Sequence, residues 1–104
     1  MTTTTSRQDL IARGKALTAE KSTPVLVAAL RSLSSKVDQA RELARVTGQY
    51  EDCQALNLTR SWVVQALEDR YPAAVQALEE AFEADEDSDY DAVLIAAIPE
   101  AERV

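Results

Sequence analysis

The clearest periodic pattern along the chain is a stripe of apolar residues within positions 24–46. Its members follow 4-3 spacing and fall within about 40° of one line on a helix: Leu26, Leu30, Leu33, Val37, Ala40 and Ala44. Thr23-Pro24 supplies a helix start, and Gly48 supplies a residue that can end a helix in the left-handed conformation. The pattern predicts a helix over about 24–46, which is either internal to a bundle or the heptad seam of a dimer.

The bulkiest apolar residues lie further along the chain, between positions 55 and 82. This stretch contains the only Trp and the only Phe, Trp62 and Phe82. Tyr71-Pro72 divides it, because proline disfavours helical geometry in the residue before it. We therefore expect one helix from about 49 to 71 and another over about 72–84. Asn57 and Thr59 are poor residues for a helix interior and allow a kink or brief break near 57–59.

Two shorter helices complete the predicted architecture. Ser6 and Asp9 form a variant capping box before a helix of about 7–20, which Gly14 weakens by up to ~1 kcal/mol. Ser88 and Asp91 have the same spacing and predict the start of a last helix of about 89–98, apolar nearly all round and ended by Pro99. An acidic connector over about 83–91 precedes this helix.

The predicted fold is all-α, a compact bundle of four or five helices that could dimerise through the heptad seam. We expect residues 1–5 to form a flexible tail and residues 6–104 to form a single domain. The predicted core consists of Leu26, Leu30, Leu33, Val37, Leu56, Trp62, Val63, Leu67, Val75, Leu78, Phe82, Leu94 and Ile98.

The amino-acid composition excludes most familiar kinds of catalytic site. The chain has no His, which excludes Ser-His triads and His-based metal sites. Cys53 is the only cysteine and lies beside the acidic residues Glu51 and Asp52, so we interpret it as a small buried or half-buried thiol rather than a nucleophile. We expect no enzyme activity, no cofactor and no metal. A lone cysteine suits the cytoplasm, and no apolar run is long enough to span a membrane.

The acidic connector resembles a calcium loop only superficially. Asp85, Asp87, Asp89 and Asp91 alternate as the first ligands of such a loop do. Tyr90 replaces the required glycine, and Ala96 replaces the final glutamate. We interpret the connector as a solvated acidic linker.

Charge is distributed unevenly along the chain. Residues 1–47 contain eight basic and four acidic side chains, a net charge of +4, whereas residues 48–104 contain three basic and fourteen acidic ones, a net charge of −11. Because the total is −7, the chain as a whole should not bind polyanions non-specifically.

Three functions are compatible with these patterns. The favoured one is a non-catalytic interaction or regulatory module, as a homodimer or with another protein, that uses Leu26, Leu30, Leu33, Val37, Glu83, Asp85 and Asp87. The second is a small DNA-binding regulator or accessory protein that uses Arg31, Lys36, Arg41, Arg45 and Arg60. The third is an acidic mimic of nucleic acid that occupies a DNA- or RNA-binding partner, since residues 83–91 hold six carboxylates.

Overall fold

The computed structural model describes residues 7–104, and these form an all-α bundle, as predicted. The helices are α1 (Arg7–Ala19), α2 (Thr23–Thr47), α3 (Glu51–Arg70), α4 (Pro72–Ala84) and α5 (Tyr90–Ala96), followed by a 3-10 turn at Glu100–Glu102. The tail predicted for residues 1–5 and the capping residue Ser6 lie outside the described residues.

Helix α2 begins and ends at residues whose backbone geometry favours a helix boundary. Ser22, rather than the predicted Thr23, is the N-cap residue of α2, and Pro24 lies in its first turn. Gly48 ends α2 with φ of 75°, and its N–H donates to the Ala44 carbonyl at 2.7 Å. This left-handed geometry is costly for any residue with a Cβ atom, so glycine is required here.

The predicted break near 57–59 is absent, because α3 is continuous from Glu51 to Arg70. The Thr59 hydroxyl donates to the Ala55 carbonyl at 3.1 Å, four residues earlier. A threonine side chain that bonds back in this way is accommodated within a helix. The Asn57 side chain lies on the exposed side of α3.

The last helix begins one residue later than predicted. Asp89, not Ser88, is the N-cap residue of α5, and its carboxylate accepts the Ala92 N–H. The Ser88 hydroxyl is instead directed backwards, where it donates to the Asp85 carbonyl at 2.8 Å and the Ala81 carbonyl at 3.2 Å. Ser88 therefore stabilises the end of α4 and the connector.

The main core joins α2, α3, α4 and α5. Its buried members are Leu26, Val27, Leu30, Val63, Leu67, Ala74, Leu78, Leu94, Ile95 and Ile98. The predicted core positions Leu33, Leu56, Trp62 and Phe82 are half-buried rather than fully enclosed.

Val75 is a wrong core prediction. Its side chain is 38% exposed, whereas Ala74 is fully buried. Ala74 and Leu78 are four residues apart and share one line on α4, about 100° from Val75. Leu78 is buried as predicted, so the buried face of α4 is shifted only partly around the helix, from Val75 toward the small side chain of Ala74.

The outer halves of α2 and α3 extend beyond this core. We call residues 36–58 the arm: an antiparallel helical hairpin that contributes no member to the main core cluster. Val37, Ala44 and Cys53 are buried in it, and the thiol is free and buried as predicted. The arm helps to explain the extents of 51 × 35 × 24 Å and a radius of gyration of 15.6 Å, against about 13 Å for a compact domain of this length.

Helix α1 lies against α3 and has no buried residue. Gly14 faces the ring of Trp62 so closely that a Cβ atom at position 14 would lie 2.4 Å from Cη2 of the ring. Arg70 holds the end of the helix, because its guanidinium donates to the Ala19 carbonyl at 2.8 Å.

Candidate functional site

One face of the arm carries an open groove with a volume of about 520 Å³. We call this the arm groove and define it by Lys36, Gln39, Ala40 and Leu43 of α2 and by Asp52, Ala55 and Leu56 of α3. Leu43 is 62% exposed, an unusual fraction for a leucine. The groove is therefore an apolar surface of two helices that no other helix of residues 7–104 covers.

Charged residues lie at opposite ends of the arm groove. Lys36 and Leu43 are seven residues apart, which is about 10 Å along α2. Leu43 and Asp52 lie toward the tip of the hairpin, since Asp52 is the second residue of α3. The groove thus has an apolar middle, a cation at its inner end and an anion at its outer end.

The tip of the arm is also apolar. Val46 is 80% exposed, and Tyr50 is exposed in the connection between α2 and α3. Both side chains adjoin the outer end of the groove in sequence.

A second concavity, with a volume of about 740 Å³, lies on the other flank of α2, between α2, α3 and α5. We call it the arginine cleft after Arg31, Arg41, Arg60 and Arg103, which line it. Four of the eight arginines of the chain therefore line one cleft, although the chain as a whole is acidic.

The wall of the arginine cleft is held by an ion pair between α3 and α5. Arg60 binds the Asp91 carboxylate through Nε at 3.2 Å and through Nη2. Ser34 of α2 donates to the same carboxylate. The Arg60 and Asp91 side chains are only 27% and 14% exposed, so this pair is less screened by solvent than a surface pair.

Tyr90 continues the same network. Its hydroxyl donates to Glu68, and its ring lies 5.9 Å from the Arg60 guanidinium and 6.1 Å from the Phe82 ring. Burial of the phenol, reinforced by the hydrogen bond and negative charge of Glu68, raises the pKa of Tyr90 to about 12. Tyr90 is therefore a neutral hydrogen-bond donor rather than an acid or base at ordinary pH.

The residues predicted to bind a partner protein lie in two different environments. Leu26, Leu30 and Val37 are buried and Leu33 is half-buried, all within the single chain, so they form an internal helix face rather than an accessible surface. Glu83, Asp85 and Asp87 are exposed. The connector is locally ordered by hydrogen bonds, since the Asp85 carboxylate accepts the Asp87 N–H at 3.0 Å.

Of the five basic residues predicted to bind nucleic acid, three line the arginine cleft (Arg31, Arg41 and Arg60), whereas Lys36 and Arg45 lie outside it. Lys36 lies about 140° around α2 from Arg31 and Arg41. Arg45 forms an ion pair with Glu42 at 3.1 Å, and Arg60 is bound to Asp91. Arg31, Lys36, Arg41 and Arg45 are exposed, but acidic neighbours interrupt them.

Sequence reasoning missed both concavities. Leu43 lies outside the strict 4-3 stripe and Ala55 lies at the very start of the bulky stretch, so the apolar spacing assigned neither residue to a face. The Arg60–Asp91 pair joins residues 31 positions apart, a distance that no helical period encodes. The one available indication of an uncovered face was that Leu43 and Val46 are apolar residues outside the stripe.

Comparison with protein-family models, with curated proteins and with solved structures finds no significant match to this chain. None of the helices in residues 7–104 combines the length and the apolar character needed to cross a membrane. No group of three or more Cys, Asp or Glu side chains in this range has an arrangement that could hold a metal ion.

Proposed function

We propose that the protein is a non-catalytic interaction module that self-associates through the arm groove. Two arms would pack face to face and antiparallel, so that α2 and α3 of each chain form half of a four-helix bundle. The observation that carries this proposal is the arm groove itself, an apolar face on a hairpin that extends beyond the main core. The contact surface is thus moved from the buried α2 stripe to a neighbouring flank of the same helix, about 90° around it, which shares only Ala40 with the stripe.

Packing supports this assignment. An isolated pair of helices buries only one face of each helix, and the arm has just three small or medium side chains in its interior, Val37, Ala44 and Cys53. A second hairpin would cover Ala40, Leu43 and Leu56 and remove apolar surface from water. Small residues such as Ala40 and Ala55 would allow close approach of the helices.

Charge selects a second copy of this chain as the partner. A two-fold axis perpendicular to the arm, through the middle of the groove, reverses the direction of the partner arm. Lys36 of each chain would then lie at the same end of the interface as Asp52 of the other, diagonally across it. A surface that is complementary to itself in this way is what an isologous dimer requires.

The DNA-binding alternative has less support from the described surface. A phosphate backbone is bound by a continuous basic patch, whereas Arg41 and Arg45 have acidic neighbours on the same helix and Arg60 is engaged with Asp91. The nucleic-acid mimic depends on the connector. There, Glu83 is exposed in the last turn of α4, and Asp85 and Asp87 are exposed in the short loop that follows, so the three carboxylates are not spaced over a rigid surface.

The test is the replacement Leu43→Glu. Full burial of a leucine side chain is worth about 1.5–3 kcal/mol, and about three-fifths of Leu43 is exposed and so available for burial. Each Leu43 should contribute about 1–2 kcal/mol, so the two in a dimer contribute about 2–4 kcal/mol, which is roughly 30- to 700-fold in the dissociation constant. Glutamate adds the cost of burying a charge.

Sedimentation equilibrium over a range of protein concentrations measures this change. The matched control is Val25→Glu, which places the same charge at another exposed apolar position, 51% exposed, at the other end of α2. We expect Leu43→Glu to be monomeric and helical and Val25→Glu to dimerise normally. If both variants had the mass of the unaltered protein at every concentration, the arm groove would not be the contact surface.

A further inference from the structure

We propose that the arginine cleft is a binding site for a small phosphate monoester. The cleft lies on the flank of α2 opposite the arm groove, so it remains open whether or not the arms associate. The inference depends on the placement of the arginines and not on self-association.

Two of the four arginines are held in place by the fold. Arg60 is fixed by Asp91, as described above. Arg103, near the end of the chain, donates from Nε to the Ile98 carbonyl at 2.7 Å and from Nη2 to the Ala96 carbonyl at 3.2 Å. These bonds cap the end of α5 and leave Nη1 of Arg103 without a partner within residues 7–104. A donor that is already ordered loses little conformational entropy when it binds a ligand.

The other two arginines lie on α2. The Arg31 guanidinium has no hydrogen bond or ion pair with any described residue, and the nearest carboxylate to Arg41 is that of Asp38, at 4.0 Å on the exposed surface. They are ten residues apart on one flank of the helix, about 15 Å along its axis. Positive charge therefore remains uncompensated at this side of the cleft.

The aspartates of the cleft are largely committed to the fold. The two carboxylate oxygens of Asp91 accept bonds from Arg60 and Ser34. Asp89 caps α5 by accepting the Ala92 N–H at 3.1 Å. The Asp38 carboxylate is paired loosely with Arg41, and the exposed Asp89 carboxylate keeps its charge, so four arginines and three aspartates leave the cleft with a net charge of +1.

The chemistry of the walls indicates the class of ligand. Guanidinium groups match phosphate oxygens in a planar, two-donor geometry, which makes arginine a preferred phosphate ligand. Val37 and Ile95 give the cleft an apolar patch for the organic part. A volume of about 740 Å³ lies within the range of about 300–1,000 Å³ typical of small-molecule sites.

The experiment is an NMR titration of the isotope-labelled full chain at constant ionic strength. The probe is adenosine 5′-monophosphate, with adenosine and inorganic phosphate as parallel titrants. The test variant is Arg31→Gln, and the matched control is Arg45→Gln. The control removes the same charge from the same helix at a site outside the cleft, about 21 Å further along the axis.

The expected result is saturable shifts at Arg31, Arg60 and Arg103 with the monophosphate, weaker shifts with inorganic phosphate and none with adenosine. Arg31→Gln should weaken binding about tenfold or more, because it removes a charged donor, and Arg45→Gln should leave it within about twofold. Equal weakening by the two variants would mean a diffuse charge effect and overturn the proposal. Equal binding of adenosine, or the absence of saturation, would overturn it too.

Discussion

The replacement Gly14→Ala tests how α1 is attached to the bundle. An ideal Cβ atom at position 14 would lie 2.4 Å from Cη2, 2.6 Å from Cζ3 and 2.9 Å from Cζ2 of the Trp62 ring. Normal contacts between carbon atoms are about 3.5–4.0 Å. The ring, or the whole helix, must therefore move by about 1 Å.

Two opposing effects determine the sign of the change. Alanine is favoured over glycine in a helix interior by about 1 kcal/mol, whereas overpacking of this kind costs about 1–3 kcal/mol. Helix α1 has thirteen residues, none of them buried, and a free helix of that length is marginal in water. We expect the contact with Trp62 to be lost, with a net weakening of α1 docking by up to about 2 kcal/mol.

Two observables report this loss separately. Trp62 is the only Trp, so its fluorescence emission should move to longer wavelength as the ring becomes wetter. Amide hydrogen exchange across Arg7–Ala19 should accelerate, while exchange in the main core stays the same.

A double-mutant cycle isolates the steric contribution. In a Trp62→Leu background the clash is absent, and Gly14→Ala should then slow exchange in α1 through helix propensity alone. The single variant Gly14→Ala could instead show slower exchange in α1 and unchanged Trp62 fluorescence. That result would refute the explanation that glycine is needed at position 14 because of its close contact with Trp62.

Two further predictions concern the α5 network. Because the pKa of Tyr90 is about 12 when folded and 10.0 when unfolded, the unfolded chain loses the phenolic proton first, so the free energy of unfolding should fall between about pH 10 and pH 12. Denaturant titrations of Tyr90→Phe should show a smaller fall, and identical curves would contradict the raised pKa. Asp91→Asn leaves the Arg60 charge poorly paired and should lower the free energy of unfolding by about 1–3 kcal/mol. Ser34→Ala removes only one hydrogen bond to Asp91 and should lower it by about 0.5–1.5 kcal/mol. Equal losses in the two variants would contradict a larger contribution from the ion pair than from the Ser34 hydrogen bond.

The helices could be predicted from the sequence because their signals are local. Apolar spacing placed α2, the Tyr71-Pro72 step separated α3 from α4, and Gly48 ended α2. Each of these signals involves residues within a few turns of one another. The errors were local too. The N-cap residue of α5 is Asp89 and not its neighbour Ser88, and the Thr59 side chain forms a hydrogen bond within α3, which is continuous at this position.

The surfaces could not be predicted because they depend on how the helices are arranged in three dimensions. The stripe on α2 was equally suitable for an internal face or a dimer seam, and only the positions of α3 and α5 show that Leu30 is covered by this chain. Val75 and Ala74 are adjacent, so a partial rotation of α4 exchanges which of them is buried while Leu78 stays in the core. Gly14 was read as a weak helix residue, whereas its small size accommodates a ring 48 residues away.

The central claim is that two arms associate antiparallel, with Lys36 of each arm at the same end of the interface as Asp52 of the other. Its most direct test is the light-scattering mass of three variants at low salt: Lys36→Glu, Asp52→Lys and the double exchange. Each single reversal turns two attractive contacts of the dimer into repulsive ones and should raise the dissociation constant roughly 2- to 30-fold. Thermal unfolding controls for the helix-dipole cost of lysine in the first turn of α3.

The predicted result is that the native protein and the double variant both have twice the 11.4 kDa mass of one chain, at a concentration where the single variants dissociate. A double variant no better associated than the single ones would contradict the antiparallel pairing. A native protein with a mass of 11.4 kDa at every concentration would contradict self-association through the arm.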